Sequence, residues 1–156
     1  MNATKISAPG RRTLLLAALT APVLVAPAGC DRGPAMYRVR GHVFYTDGTV
    51  PRGAVAVVSF QPAGDTTAEL RKSASGAIRP DGSFELWTRK EGDGVYEGQY
   101  DVTFNVLKAV MDPQPYIAEK YRVPGTYQVT VDRDIDNLKF EIEPLPGAPR
   151  GTAPSG

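Results

Sequence analysis

Cys30 carries the most specific chemistry in this sequence, because it is the only cysteine and it closes a segment built like a secretory signal peptide. Three basic residues come first, and an apolar zone follows over residues 14–25. The small residues Ala28 and Gly29 then lead into the cysteine. Lipoprotein signal peptidase requires small residues at these positions, and it cleaves before a cysteine whose sulfur already carries diacylglycerol. The spacing therefore predicts that Cys30 becomes a lipidated N-terminus.

The predicted signal leaves two alternatives open. Its apolar zone is too short to span a hydrocarbon layer of ~30 Å, so it predicts a cleaved signal and not a membrane span. Cleavage after Ala28 would instead leave a free thiol on Cys30. The arginine pair at residues 11–12 resembles a twin-arginine export signal, and Sec export is equally compatible. With lipid on its sulfur, Cys30 could form no disulfide, and two or three acyl chains would hold the chain to a membrane.

His42 limits the catalytic chemistry available to the chain, because it is the only histidine. A Ser-His-Asp or Cys-His arrangement would have to use it, and a metal site with paired histidines is impossible. It lies beside Arg40 on a predicted strand, where we expect an exposed side chain. We therefore predict a protein that is not an enzyme and needs no cofactor.

Three alternating carboxylates form a weak candidate for a calcium site. Asp132, Asp134 and Asp136 offer hard oxygen ligands at a spacing similar to that of an EF-hand loop. The pattern fails at its sixth position, where Asn137 stands in place of glycine, and residues 138–142 alternate like a strand. A polar hairpin turn is the preferred interpretation, and no metal is predicted.

Aromatic side chains near predicted loops are the remaining candidates for a binding site. Trp87 lies on the strand face opposite two apolar residues, and Tyr116 and Tyr121 lie in a long connection. Such side chains can stack on sugars or anchor a protein partner. The alternative is that Trp87 packs beneath the neighbouring sheet or the long connection, because large aromatic residues are highly buried on average.

Composition predicts one small domain and excludes a nucleic-acid-binding protein. Residues 1–29 hold three of the 18 basic and none of the 17 acidic residues, so the mature chain has 15 basic and 17 acidic residues and a net charge of −2. Nucleic-acid binding requires a basic surface instead. We divide the chain into a signal peptide (1–29), a lipidated tether (30–36), a folded domain (37–143) and a disordered tail rich in Pro and Gly (144–156).

Short alternating runs separated by Gly and Pro predict an all-β domain. The Pro-Asp-Gly sequence at residues 80–82 is the strongest turn signal, with Gly82 expected at positive φ. We expect the last two strands to form a hairpin, and residues 107–125 to be a crossover between sheets or a functional loop. About seven strands at this spacing are typical of a Greek-key sandwich. The predicted strands are 37–45, 54–60, 73–78, 83–88, 100–106, 126–131 and 138–142.

Five segments give the chain a family resemblance. In order they are GHVFYTDGTVPRGAVAVVSFQP, RPDGSFEL, GVYEGQYDVTF, EKYRVPGTYQVTV and DNLKFEIE. The chain resembles secreted bacterial lipoproteins with a carboxypeptidase-regulatory-like, or transthyretin-like, domain. Asp81, Gly82 and Phe84 match the family's D-G-x-F element, and Gly98 and Tyr100 match its G-x-Y element. The resemblance covers most of residues 37–143.

The resemblance implies a prealbumin-like or immunoglobulin-like β-sandwich that acts as a non-catalytic folding, adhesion or ligand-binding module. We therefore expect an envelope lipoprotein that faces the periplasm or the outside and contacts a membrane through lipid on Cys30. Its domain would be structural or would bind an envelope protein or a glycan. The alternative is a module for carbohydrate or another small ligand at the cell surface.

Overall fold

A computed structural model of the chain describes residues 33–66 and 69–152. Cys30 and the predicted signal peptide lie outside the described residues, so the structure does not test them. Eleven strands and one 3-10 helix, Glu119–Tyr121, make up the described secondary structure, and the prediction of an all-β domain is confirmed. The strands are β1 Met36–Tyr37, β2 Val39–Tyr45, β3 Val50–Pro51, β4 Val55–Pro62, β5 Ala74–Ala77, β6 Ser83–Glu85, β7 Val95–Tyr96, β8 Gly98–Leu107, β9 Tyr127–Val131, β10 Ile135–Ile142 and β11 Arg150–Gly151.

The strands form several sheets, as expected of a β-sandwich. The largest has the order β5-β4-β8-β9 and is antiparallel throughout. A three-stranded sheet has the order β10-β2-β6, in which β10 runs parallel and β6 antiparallel to β2. Two small sheets pair β1 with β7 and β11 with β3. The alternation of apolar residues gives the two larger sheets one buried face each.

Aromatic rings pack between the two larger sheets. Phe140 of β10 lies 5.3 Å from Phe104 of β8 and 6.0 Å from Phe84 of β6, measured between ring centroids. Tyr100, Phe104 and the valines between and after them on β8 are fully buried, as the alternation in β8 predicts. The strand pattern thus correctly identifies the side chains that form the core.

The turn between β5 and β6 has the predicted conformation. The N–H of Gly82 donates to the carbonyl of Arg79 at 2.9 Å, and Gly82 has a φ of 85°. Asp81 closes the turn by accepting hydrogen bonds from the N–H and hydroxyl of Ser83 at 2.9 and 2.7 Å. This turn delivers residues 83–87 to the edges of both larger sheets.

The prediction of a final hairpin is wrong. β9 pairs with β8, whereas β10 pairs in parallel with β2 in the other sheet. The short polar segment between them is therefore a corner that carries the chain from one sheet to the other. A polar linker of this length is compatible with either geometry, and the long-range pairing with β2 decides between them.

The prediction of a disordered tail is wrong for the part of residues 144–156 that the structure describes. β11 pairs with β3 through the registers Arg150–Pro51 and Gly151–Val50. Ala148 is buried in the core, and Arg150 reaches Asp47 at 2.9 Å. A segment too poor in apolar groups to fold alone is held here by a strand edge and a core that the rest of the chain already provides.

Candidate binding site

A cavity of about 380 Å³ lies at the end of the domain where β8 begins. Residues 34–35 form one wall, and the N–H of Glu97 donates to the carbonyl of Ala35 at 3.0 Å to hold that segment in place. Leu70, from the connection between β4 and β5, contributes an apolar patch, and the last residues of β9 complete the lining. We call this end of the domain the tether end, because the chain enters the fold here.

The polar lining of the cavity comes from one face of the four-stranded sheet. Gln99 of β8 is paired with Thr130 of β9, and both side chains are exposed on the outer face. Glu97 and Asp132, which come directly before β8 and directly after β9, also line the cavity. Glu69 adds a third carboxylate, and none of the described residues that line the cavity is cationic. The charged side chains in the described lining of the cavity are therefore all acidic.

The three predicted aromatic site residues do not form one site. Trp87 is 36% exposed and pairs with Ser75 at the outer edge of β5. Tyr121 is only 5% exposed and stacks on Tyr127 of β9, at the opposite edge of the same sheet. The prediction that Tyr121 offers an accessible ring is wrong, because its ring belongs to the core.

Tyr116 is half-buried and is fixed by its backbone. Its N–H donates to the carbonyl of Val106 at 2.8 Å, and its carbonyl accepts from the N–H of Leu145 at the same distance. These bonds place Tyr116 beside the far end of β8. It therefore lies away from the tether end, where the cavity is found.

The predicted calcium ligands are engaged by arginines. Asp134 accepts a hydrogen bond from the N–H of Arg38 at 2.8 Å, and Asp136 accepts one from the Arg38 Nε at 3.2 Å. The bond to Asp136 raises the pKa of the Arg38 guanidinium. Asp132 pairs with its neighbour Arg133 at 3.0 Å. Among residues 33–66 and 69–152, no three His, Cys, Asp or Glu side chains are grouped to hold a metal ion. Arg38 and the aspartates instead fasten the corner between β9 and β10.

His42 lies on the exposed face of β2, as predicted. Its ring stacks on Phe44 with centroids 5.9 Å apart, and the Lys139 Nζ lies 5.7 Å from the Phe44 ring. A second cavity, of about 300 Å³, is lined by Phe44, Lys139 and Glu141 among others. This surface is a packed row of exposed strand side chains in which the histidine contacts an aromatic ring.

Comparison with known proteins identifies no relative. A scan against protein-family models finds no match, and searches of the curated proteins and of the solved structures find none either. In the part of the chain that the structure describes, no helix has the length and apolar character needed to cross a membrane.

Of the residues around the cavity at the tether end, only Asp132 was among the predicted site residues, as a calcium ligand and not as part of this cavity. Strand alternation predicts that Gln99 and Thr130 are exposed, but it predicts the same for every outward-facing strand residue and therefore does not mark a site. What distinguishes them is the pairing of β8 with β9 and the approach of residues 34–35 and 69–70, which are tertiary features. The two predicted aromatics that remain accessible, Trp87 and Tyr116, lie elsewhere.

Proposed function

We propose that this protein is an envelope lipoprotein whose β-sandwich is a non-catalytic module for binding a partner close to the membrane surface. The observation that carries the proposal is the position of the cavity at the tether end, where the described fold begins at Gly33. Gly33 is three residue steps from Cys30, and a chain of that length reaches ~10 Å at most. A lipidated Cys30 would therefore keep the cavity beside the membrane.

The length of β8 supports this orientation. Its ten residues span about 33 Å. Gly98 lies at the tether end, and Leu107 lies at the far end, beside a loop that exposes Val110 and Met111. The lipid anchor would thus hold one end of the sandwich near the membrane and present the other end to the surrounding envelope.

For the finer architecture we propose a Greek-key sandwich of the prealbumin type. Its framework would be the seven strands of the two larger sheets, with β10 beside β2 and β9 beside β8. The parallel neighbour of β2 and the crossing of the chain at residues 132–134 support this arrangement, because Greek-key sandwiches place sequence-distant strands side by side.

The anchor is tested with Cys30→Ser in cells labelled with palmitate. We expect label on the wild-type protein and none on the variant, because a serine provides no sulfur for the thioether. Mass spectrometry of the mature N-terminus should find diacylglyceryl-Cys30 as the first residue. A wild-type protein that begins at residue 29 or 31, or carries an unmodified Cys30, would rule out the lipoprotein proposal.

Exposure of Trp87 supports a second candidate function, the binding of a carbohydrate. Its indole is 36% exposed at the edge of β5, where a sugar ring could stack on it. Neither cavity described above is lined by Trp87. Quenching of Trp87 fluorescence by fragments of cell-wall glycan would support this function, and an unchanged spectrum at millimolar glycan would remove it.

A further inference from the structure

The register of β8 shows which backbone groups of β9 face away from the sheet. Gln99 directs both its backbone groups toward the β4 side, where its N–H donates to the Thr66 Oγ1 at 3.1 Å and its carbonyl accepts from Ala63 at 2.9 Å. Along an antiparallel strand, successive residues direct these groups to opposite sides. Tyr100 and its partner Val129 therefore bond to each other across β8 and β9.

The same alternation leaves the groups of Gln128 and Thr130 at an open edge. β9 ends the strand order of its sheet, so no strand of residues 33–66 or 69–152 lies beyond it. No backbone hydrogen bond joins the N–H or carbonyl of either residue to the rest of the described chain. β9 therefore presents two donors and two acceptors at the spacing that an extended peptide requires.

This edge continues directly into the cavity at the tether end. In a sheet, residues opposite each other project their side chains to the same face. A residue added opposite Thr130 would project its side chain beside those of Thr130 and Gln99, which line the cavity together with Glu97 and Asp132. The cavity of about 380 Å³ is large enough for one long side chain.

We propose that an extended peptide segment of a partner protein adds to the β9 edge and places a lysine or arginine side chain in this cavity. The proposal rests on the proposed function and specifies its partner. Glu69 and Glu97 would face the cationic head beside Asp132, which is paired with Arg133, while Leu70 and Ala35 contact its aliphatic stem. Backbone pairing supplies the affinity, and the charge selects the sequence.

The occupant is a separate peptide and not a second copy of this chain joined edge to edge. Pairing of two β9 strands would place residues of the sequence YQVTV opposite Thr130, and this sequence contains no lysine or arginine. Such a dimer would leave Glu69 and Glu97 without a positive partner among the described residues, whereas Asp132 already pairs with Arg133. The charge of the site therefore favours a basic peptide.

The test measures the binding of a fluorescein-labelled peptide, acetyl-TVKVTV, to the full chain in detergent by fluorescence polarisation. We expect saturable binding that weakens at least about tenfold when the lysine is replaced by glutamate, because opposite charge is then replaced by like charge at the cavity. Methylation of the lysine backbone nitrogen should weaken binding to a similar extent, since it removes a strand hydrogen bond and keeps the charge. Equal binding of the three peptides, or no binding of the first, would overturn the proposal.

Two variants of the protein separate edge pairing from charge. Thr130→Pro removes only an N–H that faces away from β8, so the sheet should remain intact while binding falls about tenfold. Glu97→Gln should reduce the preference for the lysine peptide over the glutamate peptide. Should Thr130→Pro fail to fold, the methylated peptide still decides the question of edge pairing.

Two further results would bear on the inference in different ways. Concentration-dependent dimerisation that Thr130→Pro abolishes would assign the edge to a second copy and overturn the peptide proposal. Peptide binding by Cys30→Ser with the expected charge preference would support the inference even if the lipid anchor itself were disproved.

Discussion

The two lateral sides of the sandwich differ in whether the edge strand of the four-stranded sheet is hydrogen-bonded to a neighbouring segment. On the first side, which we call the closed side, Ser75 and Trp87 exchange both backbone hydrogen bonds, at 3.0 and 3.1 Å. The segment 83–87 therefore pairs with β2 at its start and with β5 at its end, and it joins the two sheets. On the other side, the open side, β9 and β10 do not pair although the chain runs directly from one to the other.

The difference shows that a chain crossing between sheets does not by itself close an edge. The open side is fastened by side chains: the Tyr127 hydroxyl donates to the Glu141 carbonyl at 2.7 Å, and Arg38 binds the aspartates of the corner. Side-chain hydrogen bonds leave the outward backbone N–H and carbonyl groups of β9 unpaired, whereas the backbone N–H and carbonyl of Ser75 in β5 are both bonded to Trp87. An open edge and a paired edge thus occur in one small domain.

The largest effect is expected from Gly76→Val on the closed side. A Cβ on Gly76 would lie 2.1 Å from the Glu85 carbonyl oxygen, so the two backbones must separate. We expect a loss of about 3 kcal/mol in the free energy of unfolding, in the range of other overpacked cores. Urea denaturation of Gly76→Val and of Gly64→Val measures it.

Gly64→Val is the matched control, because no atom of the described residues lies within 4 Å of the Cβ that Gly64 would carry. We expect it to stay close to the wild type in stability. Similar losses in the two variants would show that the sheets are not in close contact at Gly76 and that the closed side is less tightly joined than described.

A smaller loss is expected for Gly82→Val, in the turn that feeds the closed side. The φ of 85° strains a β-branched residue, and its Cβ would lie 2.9 Å from the Val43 carbonyl oxygen. We expect a loss of about 2 kcal/mol in the free energy of unfolding. Gly92→Val, at a φ of 83° with open space around it, should lose less, and an equal loss in both would mean that the contact with Val43 is unimportant.

On the open side, Tyr127→Phe should cost about 1 kcal/mol in the free energy of unfolding, because it removes the hydrogen bond to Glu141 and keeps the ring in the core. Since the β9 edge itself is untouched, peptide binding should be unchanged. Thermal unfolding and the polarisation assay, carried out on the same preparation, measure the two quantities. A loss of peptide binding at unchanged stability would show that Tyr127 belongs to the binding edge.

The smallest effect is expected in the acid sensitivity of folding stability when Asp81 is replaced by asparagine. Hydrogen bonds from the hydroxyl and N–H of Ser83 lower the pKa of Asp81 in the folded protein. The ionised carboxylate therefore stabilises the folded state at pH values above its unfolded pKa of about 3.9. This stabilisation is lost as the pH falls through the lower pKa of the folded state. Asp81→Asn should therefore be less sensitive to acid than the wild type. Urea midpoints at pH 7 and pH 3 measure the difference.

The control for the acid experiment is Asp112→Asn. The Asp112 carboxylate pairs with Lys108 at 3.5 Å and accepts no backbone hydrogen bond from the described residues. It should follow the wild type at both pH values. Equal acid sensitivity of Asp81→Asn and the wild type would show that the turn does not hold its carboxylate as described.

Local patterns predict the closed side better than the open side. The Pro80-Asp81-Gly82 turn and the alternation in β8 are encoded by adjacent residues, and both are confirmed. The pairing partner of β10 is decided by β2 and by Arg38, which lies 96 residues before Asp134. A local sequence pattern cannot predict contacts between residues so far apart in the chain. A hairpin was therefore the natural prediction, and it was wrong.

The candidate site was missed for the same physical reason. A cavity formed by residues 34–35, the connection after β4 and the ends of two strands requires that these segments meet, and composition gives no sign of it. Single aromatic residues were predicted as ligand-binding sites because their capacity to stack on a ligand follows from the residue type alone. One of them, Tyr121, packs in the core, and Trp87 lies at the edge of β5, away from the cavity.

Residue-resolved amide hydrogen exchange on the full chain tests the contrast between the two sides most directly. It should find Ser75, Trp87 and Val129 protected, because their N–H groups are bonded within the sheets, and Gln128 and Thr130 exchanging rapidly at the open edge. Protection of Thr130 equal to that of Val129 would contradict the account, since it would mean that the β9 edge is already paired.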